Sequence, residues 1–352
     1  MLVIKDKIFE HSHFTIIEKR NDYFVAQKND EPNEKIAIFI FDLEGERSSK
    51  MLIRNFSMFN QDLPNVTKIL AYHIPKNDDS ENDSENDSES DSENDSKNSN
   101  FEFIYKESKI DIYSDTVVLV TKLPKYDNVF NLNNDRLRNR EIILTDSIKN
   151  TIIFGVAAIM KKLHQRKIFG IHLKNESVYL NENCEPIICD FGIHDQAKEI
   201  VQGRHAYIVS DSYFELPPEY PDGNIDYSFD VYSYGMFLYR LLSSRFYFNQ
   251  SFNAFLREIT RGKRPTMKDE IPDCYQDLIQ RCWCQDPKER PTFVDIVNEL
   301  KNEEFILPNT DSDELFEYQK KIDSEKVDSE KAESFKENKI SLKLFFEKYI
   351  KY

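Results

Sequence analysis

Several residue types are scarce in this chain, and each shortage excludes a class of protein. The 352 residues include one tryptophan, eight glycines and five cysteines, and no cysteine lies in a CxxC pair or at ligand-like spacing from a histidine. An odd number of scattered thiols argues against both a disulfide framework and a zinc site. The sequence therefore predicts a reducing compartment, and we expect a cytoplasmic protein.

Long apolar runs and basic clusters are also missing. The longest apolar run, Thr151–Met160, covers about ten residues and is too short to cross a bilayer. The first twenty residues carry charges where a signal peptide would need an apolar centre. A net charge of -16 without a Lys/Arg run excludes the electrostatic footprint of a nucleic-acid-binding protein. We expect neither a membrane span nor a nucleic-acid partner.

Much of the negative charge lies in one segment, residues 77–100, which reads NDDSENDSENDSESDSENDSKNSN. It holds ten acidic residues, one lysine and no apolar residue, so it carries -9 of the net -16. Such a composition cannot bury enough surface to offset the entropy of ordering, and it predicts a disordered insert. The Ser-x-x-acid steps from Ser80 to Ser92 resemble phosphorylation sites, with an unmodified acidic linker as the alternative.

The hydrophobic pattern divides the remaining chain into a strand-rich part and a helical part. Short apolar runs between Asn, Asp, Glu and Pro predict antiparallel strands at Phe14–Glu18, Tyr23–Gln27, Lys35–Phe41, Phe101–Tyr105 and Thr116–Thr121. Ser49–Gln61 predicts a helix between them. Three helices are predicted to follow. The first has a cap at Thr145 or Asp146 and an apolar face at Ile148, Ile152, Val156, Ile159 and Leu163. The second comes after Asp230 with a face at Val231, Tyr234, Leu238 and Leu241, and the third begins at Pro291.

The two ends of the chain look less structured. Residues 302–337, with the near repeat DSEKVDSEKAESF, predict a solvated, partly helical spacer, and Ile340, Leu344, Phe345 and Tyr349 predict a short amphipathic helix. His11 and His13 have no third ligand nearby, which favours a solvated segment over a metal site. We therefore expect an N-terminal segment at 1–13, a folded domain at 14–301 and a charged tail at 302–352.

The most distinctive stretch is residues 168–192, IFGIHLKNESVYLNENCEPIICDFG. It resembles the catalytic loop of protein kinases, usually HRDLKxxN, followed by an apolar strand and the metal-binding DFG. LPPEY at 216–220 resembles the APE motif, FDVYSYG at 229–235 the DVWSxG helix, and RCWCQDPKERPTF at 281–293 the closing element of the tyrosine-kinase-like branch. The resemblance implies an α+β, bilobal protein-kinase fold, with a small antiparallel-sheet lobe at 14–122 and a larger helical lobe at 123–301.

The same resemblance implies that the catalytic groups are replaced. The HRD positions are Gly170, Ile171 and His172, and Ser177 stands at the metal-binding asparagine. Phe39 replaces the phosphate-binding lysine in the strand Ile36-Ala37-Ile38-Phe39.

Other phosphate-handling groups are also affected. No acid lies in Met51–Asn60 to pair with such a lysine, and Arg54 is nearest the expected place. Because the first glycine is Gly45, the loop around Glu18–Val25 lacks the glycines that allow close approach to phosphates. Asp190 alone matches a metal ligand.

Residues that shape a nucleotide pocket or hold the fold match the family better. The expected pocket lining is Val25, Ala37, Thr121, Leu123 and Tyr179. Tyr179 has two readings, since its ring fills the pocket or turns into the core with its hydroxyl paired. The expected structural set is Phe191, Gly192, Glu219, Asp230 and Arg290, with Glu219 and Arg290 forming a buried ion pair and Asp230 accepting amides of the catalytic loop.

These substitutions predict a pseudokinase that acts as a signalling scaffold or allosteric partner of signalling proteins or other kinases. No cofactor is required for that role, and we expect weak or no binding of ATP and Mg²⁺. Two alternatives remain: a divergent active kinase that phosphorylates Ser, Thr or Tyr, and an inert domain whose acidic insert binds basic proteins.

Overall fold

The computed structural model of the chain describes residues 2–4, 7–9, 14–19, 24–29, 35–42, 66, 69–73, 101–105, 108–112, 116–133, 142–171, 173–189, 215–219, 226–243 and 252–325. These residues fall into two compact units. The sheet unit takes its described residues from 2–42 and 69–123, and the helical unit takes them from 66 and 124–325.

The sheet unit is built on a seven-stranded sheet in the order β2-β1-β6-β9-β5-β4-β3. Its strands are β1 (Leu2–Ile4), β2 (Lys7–Phe9), β3 (Phe14–Lys19), β4 (Phe24–Lys28), β5 (Lys35–Asp42), β6 (Ile69–His73) and β9 (Thr116–Lys122). A separate hairpin pairs β7 (Phe101–Tyr105) with β8 (Ser108–Ile112). All of these pairings are antiparallel, so the five predicted strands are confirmed to within two residues.

Strand β5 lies inside this sheet, between β4 and β9. Ile36, Ala37 and Ile38 are all fully buried. An unbroken apolar run is what a strand covered on both faces needs. The sequence KIAIFIFD supplies that run.

Two short strands at the start of the chain differ from the prediction. β1 and β2 lie within residues 1–13, which were expected to form an N-terminal segment outside the folded domain at 14–301. In the structure they pair with each other, and Val3 pairs with Tyr72 at the edge of the sheet. Three-residue strands are too short for an alternating pattern to emerge. His11 and His13 lie outside the described residues.

The helical unit contains seven described helices. They are α1 (Val129–Asn133), α2 (Asp146–Gln165), α3 (Tyr227–Leu242), α4 (Phe252–Thr260), α5 (Asp273–Cys282), α6 (Phe293–Glu299) and α7 (Ser312–Ser324). A small antiparallel sheet joins β10 (Tyr126–Asn128), β11 (Val178–Leu180) and β12 (Pro186–Ile188), and Val66 bridges to Ile188. None of the helices described here is long and apolar enough to cross a membrane.

Helix α2 forms the centre of this unit. Thr145 caps it by accepting a hydrogen bond from the Ile148 amide at 3.3 Å, as one of the two predicted caps. Ile152, Val156 and Leu163 have no exposed surface, which confirms the apolar face. The helix is buried on more than one face because α3, α6 and α7 all pack against it.

Helix α3 begins earlier than predicted. Asp226, not Asp230, caps its first turn by accepting from the Ser228 amide at 2.8 Å. Asp230 therefore lies inside the helix, where its carboxylate is free to bind another segment. Helix α6 begins at Phe293 with Thr292 as its cap, two residues after the predicted start at Pro291.

Residues 302–325, here called the C-terminal extension, agree only in part with what was expected of them. A solvated, partly helical spacer was expected at 302–337, and this part does contain a 3-10 turn at Glu303–Phe305 and the helix α7. Phe305, Leu315, Tyr318 and Ile322 are buried. The expected helical character is present, but the expected solvation is not found for these four residues, because a few well-spaced apolar side chains suffice to dock a charged helix. The expected elements at 49–61, 77–100 and 340–349 lie outside the described residues.

Candidate functional site

Three of the residues expected to line a nucleotide pocket lie side by side in the sheet unit. In register, Val25 of β4 faces Ala37 of β5, and Ala37 faces Thr121 of β9. All three are buried, with at most 1% of their surface exposed. Leu123 follows directly after β9 and is half-buried. The sequence therefore identified a continuous row of small side chains across three strands.

Position 39 lies two residues beyond Ala37 on the same strand, with its backbone paired to Leu119. Successive strand residues alternate between faces, so positions 37 and 39 share one face of β5. The resemblance in the sequence assigns the phosphate-binding lysine of protein kinases to this position, where the chain has a phenylalanine, and that assignment stays a prediction. An aromatic hydrocarbon side chain cannot neutralise phosphate charge.

The loop at 170–171 is held by main-chain hydrogen bonds to a single carboxylate. The Gly170 amide donates to Asp230 Oδ2 at 2.8 Å, and the Ile171 amide donates to Asp230 Oδ1 at 2.6 Å. His164 Nε2 lies 2.9 Å from Asp230 Oδ2. Asp230 is completely buried, and these contacts satisfy a group that would be costly to bury alone. The role expected for Asp230 has the geometry it requires.

Gly170 also has a conformational reason to be glycine. Its φ is +76°, in the left-handed region that side chains with a Cβ disfavour. Glycine is therefore the residue that suits this backbone conformation.

Ser177 uses its hydroxyl inside the loop. It lies in a 3-10 turn at Asn175–Ser177 and is completely buried. Its Oγ donates to the Lys174 carbonyl at 2.8 Å and accepts from the Lys174 amide at 3.2 Å. These two bonds close the turn and engage the hydroxyl with the main chain, where a metal-binding residue would present an oxygen to the ion.

Tyr179 follows in β11, between β10 and β12. Its backbone pairs with Asn128 on one side and Ile187 on the other, and 2% of the residue is exposed. The position is therefore a buried one in the small sheet of the helical unit. Among the described residues, no group of three or more His, Cys, Asp or Glu side chains is placed to hold a metal ion.

Glu219 and Arg290 form the ion pair that the resemblance implied. Arg290 donates to both carboxylate oxygens of Glu219, at 2.6 and 2.9 Å. Its side chain has no exposed surface, and it also donates to the carbonyls of Ser228 at 3.0 Å and Cys284 at 3.0 Å. The guanidinium lies 5.1 Å from the centre of the Tyr232 ring. A planar fork with five donors suits such a site, and lysine would not satisfy it.

A second buried charge cluster was not anticipated from the sequence. Arg240 of α3 donates to Glu176 Oε1 at 2.8 Å, to Glu176 Oε2 at 3.2 Å and to Glu215 Oε1. Burial alone would lower the pKa of Arg240, but the carboxylates of Glu176 and Glu215 raise it above its ordinary value. The cluster thus joins the 3-10 turn after Lys174 to the segment that ends in Glu219.

Glu215 is the unusual member of this cluster. It is completely buried, and its Oε2 atom has no hydrogen-bond partner. Burial raises the pKa of Glu215 to about 8; Glu176 adds to the rise, while Arg240 and Lys174 oppose it. One guanidinium shared by two carboxylates leaves this side chain incompletely neutralised. The contacts join residues 25 and 64 positions apart, so no local sequence pattern could have predicted them.

Several expected residues lie outside the described part of the chain. These are His172 of the HRD positions, the DFG residues Asp190, Phe191 and Gly192, and Arg54. Their assignments rest on the sequence alone.

The comparisons with known proteins agree with the fold. The protein kinase domain family matches residues 67–306, more than half of the chain. The chain therefore belongs to the protein kinase family.

Three relatives, all from Dictyostelium discoideum, illustrate the level of similarity. A probable LIM domain-containing serine/threonine-protein kinase is 28% identical over 169 residues, cyclic GMP-binding protein C is 32% identical over 203 residues, and the dual specificity protein kinase shkA is 30% identical over 154 residues. The matches cover 47%, 53% and 41% of this chain, but 17%, 7% and 28% of the relatives. The chain therefore spans less than a third of each relative's length.

Proposed function

We propose that this chain is a pseudokinase, a kinase-fold protein that binds partners and transfers no phosphate. The sequence of its closing motif at 281–293, RCWCQDPKERPTF, supports its assignment to the tyrosine-kinase-like branch. The observation that carries the proposal is the row Val25, Ala37 and Thr121. Ala37 pairs with both of the other residues, which supports the assignment of Phe39, two residues further along β5, to the position of the phosphate-binding lysine. Phenylalanine at that position lacks the charge that a nucleotide phosphate requires.

The loop at 170–177 supports the same conclusion. The amides of Gly170 and Ile171 donate to Asp230, which holds the backbone of the loop. The described side chains at the positions that bind phosphate or metal in the family are unsuited to either ligand. Ser177 engages its hydroxyl with Lys174, and Ile171 replaces an arginine with an aliphatic side chain. Each positioned group contributes roughly 10²- to 10⁴-fold in rate, although such effects are not additive. Several losses together remove the chemistry.

The partner class follows from what remains. A chain with a net charge of -16, of which residues 77–100 carry -9, and with no membrane-spanning helix among its described residues suits protein partners, and we propose signalling proteins or other kinases in the cytoplasm. ATP and Mg²⁺ are not required for this role.

An active kinase is the alternative. It is favoured by relatives named as serine/threonine kinases and by Lys174, which matches the lysine of HRDLKxxN. Asp190 would then be the remaining metal ligand.

The two proposals differ in a phosphoryl-transfer assay. The purified chain is incubated with labelled ATP and Mg²⁺ or Mn²⁺, with generic protein substrates and with Asp190→Ala as the matched variant. We expect no label on the chain or on any substrate, and no rise in melting temperature with ATP, since ligand binding to the folded state stabilises it in proportion to RT ln(1+[L]/Kd). Transfer by the wild type that Asp190→Ala abolishes would overturn the pseudokinase proposal and leave the fold intact.

A further inference from the structure

The C-terminal extension follows helix α2 along most of its length. Near the start of α2, Asn309 Nδ2 donates to Asp146 Oδ2 at 2.9 Å, and the Asp311 amide donates to Ser147 Oγ at 2.9 Å. Near its end, Lys162 Nζ lies 2.5 Å from Glu325 Oε2. The extension therefore runs in the same direction as α2 and covers one side of it.

A buried asparagine fastens the connection between α6 and α7. The Asn150 side chain donates to the Phe305 carbonyl at 2.8 Å and to the Tyr275 hydroxyl at 3.0 Å. Its Oδ1 accepts from the Leu307 amide at 2.8 Å and from the Thr310 hydroxyl at 2.7 Å. All four hydrogen-bonding positions of the amide are used. These bonds hold residues 305–310, which precede helix α7.

Helix α7 itself is held by a narrow apolar stripe. Leu315, Tyr318 and Ile322 are buried, and they follow the three- and four-residue spacing of a helix face. The Tyr318 ring meets Phe154 of α2 edge to face, with centroids 6.2 Å apart. A Cβ at Gly155 would come closer than 3.0 Å to the Tyr318 hydroxyl. Glycine at the middle of α2 thus makes room for the docked helix.

Three ion pairs fix the position of α7 on this side of the unit. Lys321 meets Glu185 of the β11–β12 hairpin at 2.5 Å, and Asp323 meets Lys301 at 2.7 Å. The third is the Lys162–Glu325 pair at the end of the helix. In each pair at least one side chain is a quarter or more exposed, so salt screens these contacts.

We propose that the side of α2 together with the β11–β12 hairpin is a helix-docking surface, and that α7 of the same chain is its detachable occupant. A helix of 13 residues is not stable alone in water, so α7 exists only while docked. Helix α7 has few buried apolar residues, and its ion pairs are screened by salt. It therefore belongs to the least stable part of the unit and detaches before the rest unfolds. The proposal does not depend on nucleotide binding.

The first test measures amide hydrogen exchange of the full-length wild-type chain. Amides of Ser312–Ser324 are expected to exchange at least tenfold faster than the buried amides of α2, with the difference growing at high salt. Exchange of both helices at one common rate would overturn the proposal, because α7 would then open only with the whole unit.

The second test supplies the helix from outside. The full-length variant Leu315→Asp/Ile322→Asp is expected to lose protection in α7 and to bind a labelled peptide of residues 311–325 with the wild-type sequence. The control variant Lys320→Asp/Ser324→Asp adds negative charge to exposed positions of the same helix. The control and the wild type should not bind the peptide, because the tethered helix holds the surface at a high effective concentration.

Two outcomes would contradict the proposal. One is a folded Leu315→Asp/Ile322→Asp chain that fails to bind the peptide. The other is a loss of cooperative unfolding in the Leu315→Asp/Ile322→Asp variant, with unfolding measured by the fluorescence of Trp283. That loss would mean that α7 is part of the core. A peptide carrying the same two aspartates should bind none of the chains.

Discussion

Replacing Arg290 by leucine removes the centre of a buried polar network and should strongly destabilise the helical unit. The substitution leaves the Glu219 carboxylate, whose side chain is only 14% exposed, without its bidentate partner. Breaking a buried pair by removing one partner costs roughly 3–5 kcal/mol. The Ser228 and Cys284 carbonyls also lose a donor, and an unsatisfied buried group costs about 1–3 kcal/mol.

These contributions are not additive, because Glu219 can regain water through its exposed edge and leucine keeps apolar contact with Tyr232. We therefore expect a loss of about 4 kcal/mol. For a unit of this size, each kcal/mol lowers the melting temperature by roughly 2–4 °C. The expected fall is about 8–16 °C.

Urea unfolding followed by the fluorescence of Trp283 measures this effect. Trp283 is the chain's single tryptophan, it is 5% exposed, and it lies in the helical unit, so it reports that unit alone. The matched control is Arg281→Leu, since Arg281 also pairs with two carboxylates but its side chain is 37% exposed. Exposed pairs contribute about 0–1 kcal/mol. Equal losses in the two variants would refute the argument from burial.

Three further predictions concern other parts of the chain. Deleting residues 77–100 should leave the melting temperature within about 2 °C of the wild type, because a solvated acidic segment makes few native contacts; a larger fall in a calorimetric scan would contradict this. The pKa of Glu215 is raised from 4.5 to about 8 in the folded chain, so its stabilising contribution is complete at low pH and is lost as the pH rises through this range. Urea unfolding of Glu215→Gln at several pH values should lack that loss, and an unchanged pH dependence would contradict the assignment. Gly155→Ala should destabilise by roughly 1–3 kcal/mol in urea unfolding despite the better helix propensity of alanine, because the new methyl group meets Tyr318 and Pro186; a gain in stability would show that α7 and β12 give way easily.

The strands and long helices could be predicted because their patterns are local. β5 is a run of apolar β-formers, and α2 has both a cap at Thr145 and an apolar face with helical spacing. The extension was expected to be partly helical, but its docking was missed because charged residues dominate its composition. Two features of the sequence do indicate α7. Asp311 is a suitable N-cap, and Leu315, Tyr318 and Ile322 have the spacing of a buried helix face.

The candidate site was predictable only where it corresponds to a motif. Asp230 and the Glu219–Arg290 pair followed from family positions, and their contacts are present in the structure. Arg240 and Glu215 could not be found in this way, because they are distant in sequence and come into contact only in the folded chain.

The attachment of the 170–171 loop to Asp230 separates the position of that loop from the identity of its side chains. The hydrogen bonds come from the amides of Gly170 and Ile171, and every amino acid except proline supplies such an amide. A substitution of Ile171 can therefore change the chemistry of the loop while keeping this hydrogen bond, whereas Gly170, with its φ of +76°, is constrained by its backbone conformation. In evolutionary terms, main-chain anchoring of this kind means that the fold imposes little selection on the side chain at position 171, so the position of the loop and its chemistry can change separately there.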